Sequence, residues 1–322
     1  MKLKKVAIYL GVVLLLLLHQ NTRGNNPSEI YSSEDIRVTN DTVTLHGTLL
    51  KPAKVENPPI LLFISGSGPT DRNGNQFGMV NNSIKLLAEK LAEKGIASLR
   101  YDKRGVGQSE CNQKEVDIVF ENFADDAAVW LEMLNKNANF SKVYVAGHSE
   151  GSLIGMLAIN KSGADGFISI AGAGKRIDKI ILEQIRSLPD SLLNESKNIL
   201  DSLLLGKTVN NVTMQLFGLF RPSVQPYMIS WLKYDPAEVL SKLKVPQLIV
   251  QGTTDIQVPI ENAELLAHSN SNARLEIIEG MNHVLKIAEA DRMKNIATYS
   301  NPGLPISDKL VEAITDFISR NK

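Results

Sequence analysis

Short apolar runs alternate along this chain with longer stretches in which apolar residues recur every three or four positions. Ile60-Leu61-Leu62-Phe63-Ile64 is apolar without interruption, as a strand covered on both faces should be. Runs at 96–99, 143–146, 167–170, 248–250 and 275–278 read the same way. The segment 42–49 alternates with period two and predicts an antiparallel edge strand. Between these lie amphipathic stretches at 83–94 (with Ile84, Leu87 and Leu91 on one face), 123–135, 152–160, 261–267 and 309–320. Strand followed by helix, repeated, predicts an α/β fold with a mostly parallel sheet flanked by helices.

One interval breaks the rhythm. No strand-like run occurs between Gly174 and Val245, yet Ile177, Ile180, Ile181, Ile185 and Leu188, then Leu192, Leu193, Ile199, Leu203 and Leu204, recur at helical spacing. The expected organisation is therefore a core at 25–174, a helical cap inserted at 175–244, and the core resumed at 245–322.

The first 24 residues stand apart. Lys2, Lys4 and Lys5 precede an apolar run over 6–18, too short to span a hydrocarbon core of about 30 Å and patterned as a secretory signal. It predicts export to the periplasm or beyond, with cleavage near Gly24 or retention as a weak membrane anchor as the two outcomes. Composition narrows the partners. Thirty-five Lys and Arg balance 35 Asp and Glu, and no basic block interleaved with aromatics appears, so nucleic acid is excluded as a partner. One cysteine, Cys111, cannot close an intrachain disulfide, and no Cys/His cluster has the spacing of a metal site. The pattern carries no signal for oligomeric state.

The chemistry begins at Gly147-His148-Ser149-Glu150-Gly151, a G-x-S-x-G between a buried run and a helical one. That order is what a nucleophile elbow requires: a serine on a sharp strand-to-helix turn, glycines removing side chains that would collide, and the Glu150 amide at a helix N-terminus facing a developing oxyanion. A serine hydroxyl needs a base, and the base needs an orienting carboxylate. Asp255 follows the run 248–250 and a glycine turn; His283 follows the run 275–278. Both positions are loops at carboxyl ends of strands, where the serine emerges, although Asp235 and Glu279 are rival carboxylates. The second oxyanion donor is expected in Ser65-Gly66-Ser67-Gly68, at the Ser67 amide, with Gly68 the alternative. Gly105-x-Gly107 lacks the last glycine of a dinucleotide loop, and Gly172-Ala-Gly174-Lys175 lacks the remainder of a P-loop.

Four segments taken together, Gly-His-Ser-Glu-Gly at 147–151, Ser-Gly-Ser-Gly-Pro-Thr-Asp-Arg-Asn-Gly-Asn at 65–75, Arg-Tyr-Asp-Lys-Arg-Gly-Val-Gly at 100–107 and Gln-Gly-Thr-Thr-Asp-Ile-Gln-Val-Pro at 251–259, resemble the α/β-hydrolases. More narrowly they resemble bacterial esterases of the serine aminopeptidase-like (S33) type. Ser65 departs from the pattern, standing where many relatives carry histidine. The resemblance implies an eight-stranded sheet, a helical cap, a Ser149/Asp255/His283 triad and hydrolysis of small carboxylic esters without a cofactor. Aminopeptidase chemistry is the nearest alternative; it needs cap carboxylates for a substrate ammonium, and Asp178, Glu183, Asp190, Glu195 and Asp201 read as solvated helix faces. A non-catalytic binding module on the same scaffold is the remaining reading.

Overall fold

A computed structural model describes residues 30–41 and 43–321. The expected export signal lies outside the described residues, and among those described no helix is long and apolar enough to cross a membrane.

Eight strands form one sheet in the order β1-β2-β4-β3-β5-β6-β7-β8. β3 (Ile60–Ile64), β4 (Ala97–Tyr101), β5 (Val143–His148), β6 (Gly166–Ile170), β7 (Gln247–Gly252) and β8 (Ala273–Ile278) are parallel. Successive residues of β3 feed opposite layers. Leu61 and Phe63 join Ile84, Leu87 and Leu91 of α1 (Ser83–Glu93) on one face. Ile60, Leu62 and Ile64 join Trp130 and Leu131 of α2 (Phe120–Asn135) and Leu153 of α3 (Glu150–Ser162) on the other.

Three expectations need correction. The period-two segment is β2 (Val43–Pro52), but it is not the edge: it pairs antiparallel with β4 on one side and with β1 (Tyr31–Asn40) on the other. β1 is largely exposed, so it offers no apolar alternation to read. β8, read as doubly covered, is the far edge and half-exposed through most of its length. The helix after Ser149 is not amphipathic; its first ten residues are almost all buried, because α3 is packed between the sheet and α2.

The interval from 175 to 244 contains helices and no strand. α4 (Ile177–Gln184), α5 (Asp190–Leu204), α6 (Phe217–Phe220), α7 (Gln225–Trp231) and α8 (Pro236–Lys242) run between β6 and β7. Ile199, Leu203, Leu216, Phe220, Met228 and Leu232 form an apolar cluster of their own. Aromatic packing seats this layer on the body: the Phe120 ring stacks on Trp231 at 5.1 Å and leans on Tyr227 and Tyr234. Ser230 Oγ accepts the Phe120 amide, which opens α2. Asp178, expected on a solvated face, is in fact buried, because Arg176 and Lys179 pair with it.

Strand order fixes where a site can form. The chain leaves β3, adds β4 on one side and returns to place β5 on the other, so a crevice opens outside the carboxyl ends of β3 and β5. The segment 65–68 leaves β3 there, and Ser149 leaves β5 there.

Candidate active site

Ser149 sits between β5 and α3 with φ 55° and ψ −121°, a conformation that side-chain-bearing residues avoid. Its amide donates to the Ile170 carbonyl at 2.9 Å, which helps hold the turn. The glycines two residues away are required by space: a Cβ on Gly147 would lie 2.2 Å from the Gly151 carbonyl oxygen, and one on Gly151 would lie 2.2 Å from that of Ile64.

Asp255 and His283 meet, although 28 residues separate them. His283 Nδ1 donates to Asp255 Oδ2 at 2.8 Å, and both side chains are nearly fully buried. The other carboxylate oxygen accepts the Gln257 and Val258 amides at 2.8 and 3.0 Å, and Gln251 Nε2 reaches Oδ2 at 3.0 Å. Burial alone would raise the Asp255 pKa, but the His283 charge and hydrogen bond, with the two amides, hold it below the ordinary 3.8. The rivals are occupied or remote: Asp235 caps the N-terminus of α8, and the exposed Glu279 makes no hydrogen bond among the described residues.

The loop carrying His283 is held by a small network that sequence reasoning missed. Asn282 Oδ1 accepts the Val284 and Lys286 amides, and its Nδ2 donates to Asn295 Oδ1 and Thr298 Oγ1. His148 was read only as part of the elbow, yet its Nε2 donates to the His283 carbonyl at 2.8 Å. Burial first, then the neighbouring His283, lowers the His148 pKa to about 3, so His148 is a neutral donor.

Ser149, His283, Gly66, Ser67, Gln257 and Tyr299 are among the residues lining one pocket of about 320 Å³. Ser149 Oγ hydrogen-bonds to none of the described residues; it and the His283 ring face the same cavity, the looser arrangement common in unliganded sites. Gly66 closes on the elbow, since a Cβ there would lie 3.2 Å from that of Ser149. Among the described residues, neither the Ser67 amide nor the Glu150 amide donates to a protein acceptor. Behind Ser149 a second, narrow apolar pocket of about 20 Å³ is walled by Leu153, Ala173, Ile177, Trp231 and Pro236.

Buried charges tie the nucleophile side together. Lys103 Nζ donates to the Gly66 carbonyl and lies 3.3 Å from Glu150 Oε2, while the Tyr227 hydroxyl donates to Glu150 Oε1. Arg72, beside the 65–71 loop, pairs with Asp102 through both its amide and its guanidinium. The glycine-rich 100–107 segment was the available signal, but its charges gave no hint of what they touch.

Solved structures share this fold. Est1E from Butyrivibrio proteoclasticus, solved with ferulic acid bound, superposes with a TM-score of 0.61 over 89% of this chain and 98% of its own, at 21% identity. Pyrococcus furiosus esterase Pf2001 superposes at 0.57 over 92% and 95%, at 15% identity. The family described as serine aminopeptidase, S33, matches residues 77–216.

The chain has the α/β-hydrolase fold.

Esterase EstD of Thermotoga maritima is 27% identical to this chain over 268 residues. That match covers 80% of this chain, which spans 61% of the length of EstD. The S33 match includes Lys103 and the Ser149 turn and stops before Asp255 and His283.

Proposed function

We propose that this chain is a serine carboxylesterase. Ser149 Oγ attacks the ester carbonyl while His283 Nε2 takes its proton. The amides of Ser67 and Glu150 hold the oxyanion, the alcohol departs with the proton returned by His283, and water repeats the sequence on the acyl-enzyme. Asp255 keeps the proton of neutral His283 on Nδ1, which leaves Nε2 free to accept. One observation carries the reading: the 2.8 Å contact between His283 Nδ1 and buried Asp255, with the ring in the pocket that Ser149 lines from its strained turn. EstD and Est1E are consistent with ester chemistry.

A fluorophosphonate probe should label the wild type and leave Ser149→Ala unlabelled; equal labelling of the two defeats the assignment. p-Nitrophenyl acetate should be hydrolysed faster than aminoacyl anilides. The S33 description favours the opposite order. Against it, Asp178 is paired with Arg176 and Lys179, and Glu183 with Lys175, so neither is free to hold a substrate ammonium. The narrow apolar pocket behind Ser149 suits a short acyl group. Turnover in a graded series of p-nitrophenyl esters should therefore peak at acetate to butyrate, and a maximum at octanoate contradicts this.

We further propose that the helices over 175–244 act as the cap of the site and that the N-terminal segment directs export. Mass spectrometry of the secreted protein should find an N-terminus near Gly24 or, if the segment anchors the protein, an intact leader in the membrane fraction.

A further inference from the structure

Beside the Ser149 turn lie two deeply buried charges, Lys103 and Glu150, each with a side chain about 3% exposed. A lysine withdrawn from water this far requires partners. It has two: the Glu150 carboxylate and the Gly66 carbonyl, with the Phe123 ring 5.6 Å from the ammonium. Glu150 is held in turn by Tyr227, whose hydroxyl stays protonated because burial and the neighbouring carboxylate push its pKa up.

The Gly66 carbonyl matters because of what shares its peptide unit. A peptide bond is planar, and no cis bond occurs among the described residues. The Gly66 C=O and the Ser67 N–H therefore point in opposite directions. An ammonium that grips the oxygen aims the N–H away from itself, toward the pocket that Gly66, Ser67 and Ser149 line. The same positive charge polarises the amide and strengthens it as a donor to an anion. The Ser67 carbonyl accepts the Thr70 hydroxyl at 2.8 Å and Gln76 Nε2 at 3.1 Å, but these bonds hold the next peptide unit; among the described residues the Gly66–Ser67 unit itself is bonded only through its carbonyl, to Lys103.

We propose that Lys103 is the positioning residue of the oxyanion hole, orienting and polarising the Ser67 amide through the Gly66 carbonyl, with Glu150 as its counter-ion. The proposal rests on the esterase reading above. Lys103 touches no reacting atom; it acts through the backbone. Glu150 contributes twice, its amide as the other oxyanion donor and its carboxylate as the support of Lys103. Tyr227 links this support to the helical insertion.

Because the oxyanion exists only after attack, loss of Lys103 should be felt in kcat rather than in KM. In Lys103→Met, kcat for p-nitrophenyl acetate should fall about 100-fold, with KM changed by less than about threefold. A trifluoromethyl ketone, which forms the tetrahedral oxyanion on Ser149, should lose affinity by the same factor as kcat. The single variant leaves Glu150 buried and unpaired, so the double variant Lys103→Met/Glu150→Gln, which removes both charges at nearly constant volume, is the decisive form. It should regain the melting temperature while kcat and ketone affinity stay low. Recovery of kcat together with stability would reduce the pair to a structural role and overturn the proposal. So would a rise in KM that accounts for the whole loss, or unchanged ketone affinity. Wild-type protein that fluorophosphonate does not label would overturn the esterase reading and this proposal together, whereas a labelled, active wild type with a fully active Lys103→Met defeats the positioning role alone.

Discussion

The two halves of the pocket are built from different materials. On the nucleophile side, at the exits of β3, β4 and β5, charged pairs hold the loops: Lys103 with Glu150, and Arg72 with Asp102. On the base side, at the exits of β7 and β8, one carboxylate is surrounded by neutral groups: the Gln257 and Val258 amides, the Gln251 side chain, and the amide network of Asn282 that fixes the His283 loop. The difference follows from what each half does in the proposed reaction. Negative charge develops on the nucleophile side, where a fixed positive charge behind a backbone donor is an asset. On the base side the buried Lys286 donates to the Asn301 carbonyl, which leaves Asp255 to His283.

Breaking a charged pair on the nucleophile side should therefore cost more stability than breaking a neutral contact on the base side. The largest effect is expected at Asp255→Asn, where loss of the correct His283 tautomer should lower kcat about 10⁴-fold. If kcat falls less than tenfold, another group orients His283. Asp102→Asn leaves the nearly buried Arg72 guanidinium with only the exposed Asp35, 3.6 Å away, as counter-ion, and should destabilise the fold by up to about 3–5 kcal/mol in urea unfolding. A midpoint close to that of the wild type would show that this pair does not secure the loop. Asn282→Ala orphans the Val284 and Lys286 amides and should cost about 1–3 kcal/mol, with a fall in kcat as the His283 loop loosens. Equal stability would mean the loop holds itself.

His148 stands between the halves and gives the smallest signal, a slope. Its folded pKa of about 3 lies below the unfolded 6.5, so between these values the unfolded chain binds a proton that the folded one refuses. The stabilisation is complete above pH 6.5 and is lost as the pH falls toward 3. A single proton limits the slope to roughly 1.4 kcal/mol per pH unit, and the partial exposure of His148 to the pocket lowers it further. His148→Asn should flatten the dependence of stability on pH between 6.5 and 4, and an unchanged slope would remove His148 as its source.

Much of the site was legible along the chain because its geometry is local or sits at strand ends. The elbow shows in Gly147 and Gly151, where backbones approach too closely for any side chain. Asp255 and His283 show by following buried runs. Their choice over Asp235 came only from the folded geometry, since a carboxylate capping a helix and one orienting an imidazole look alike in a sequence. β1 was missed because an exposed ribbon lacks the alternation that marks a strand.

The one-dimensional pattern determined the six parallel strands with the helices between them, the sharp turn at Ser149, and the run of helices without a strand between β6 and β7. Those features depend on residues close together in the chain, whose burial and backbone preferences repeat with fixed periods. Tertiary structure alone decided that Lys103 lies beneath the Gly66 peptide, that Tyr227 reaches Glu150 from 77 residues away, and that Asn295 and Thr298 hold the Asn282 side chain. Such contacts join residues distant in the chain, and the electrostatics of a buried charge are set by what folding brings against it.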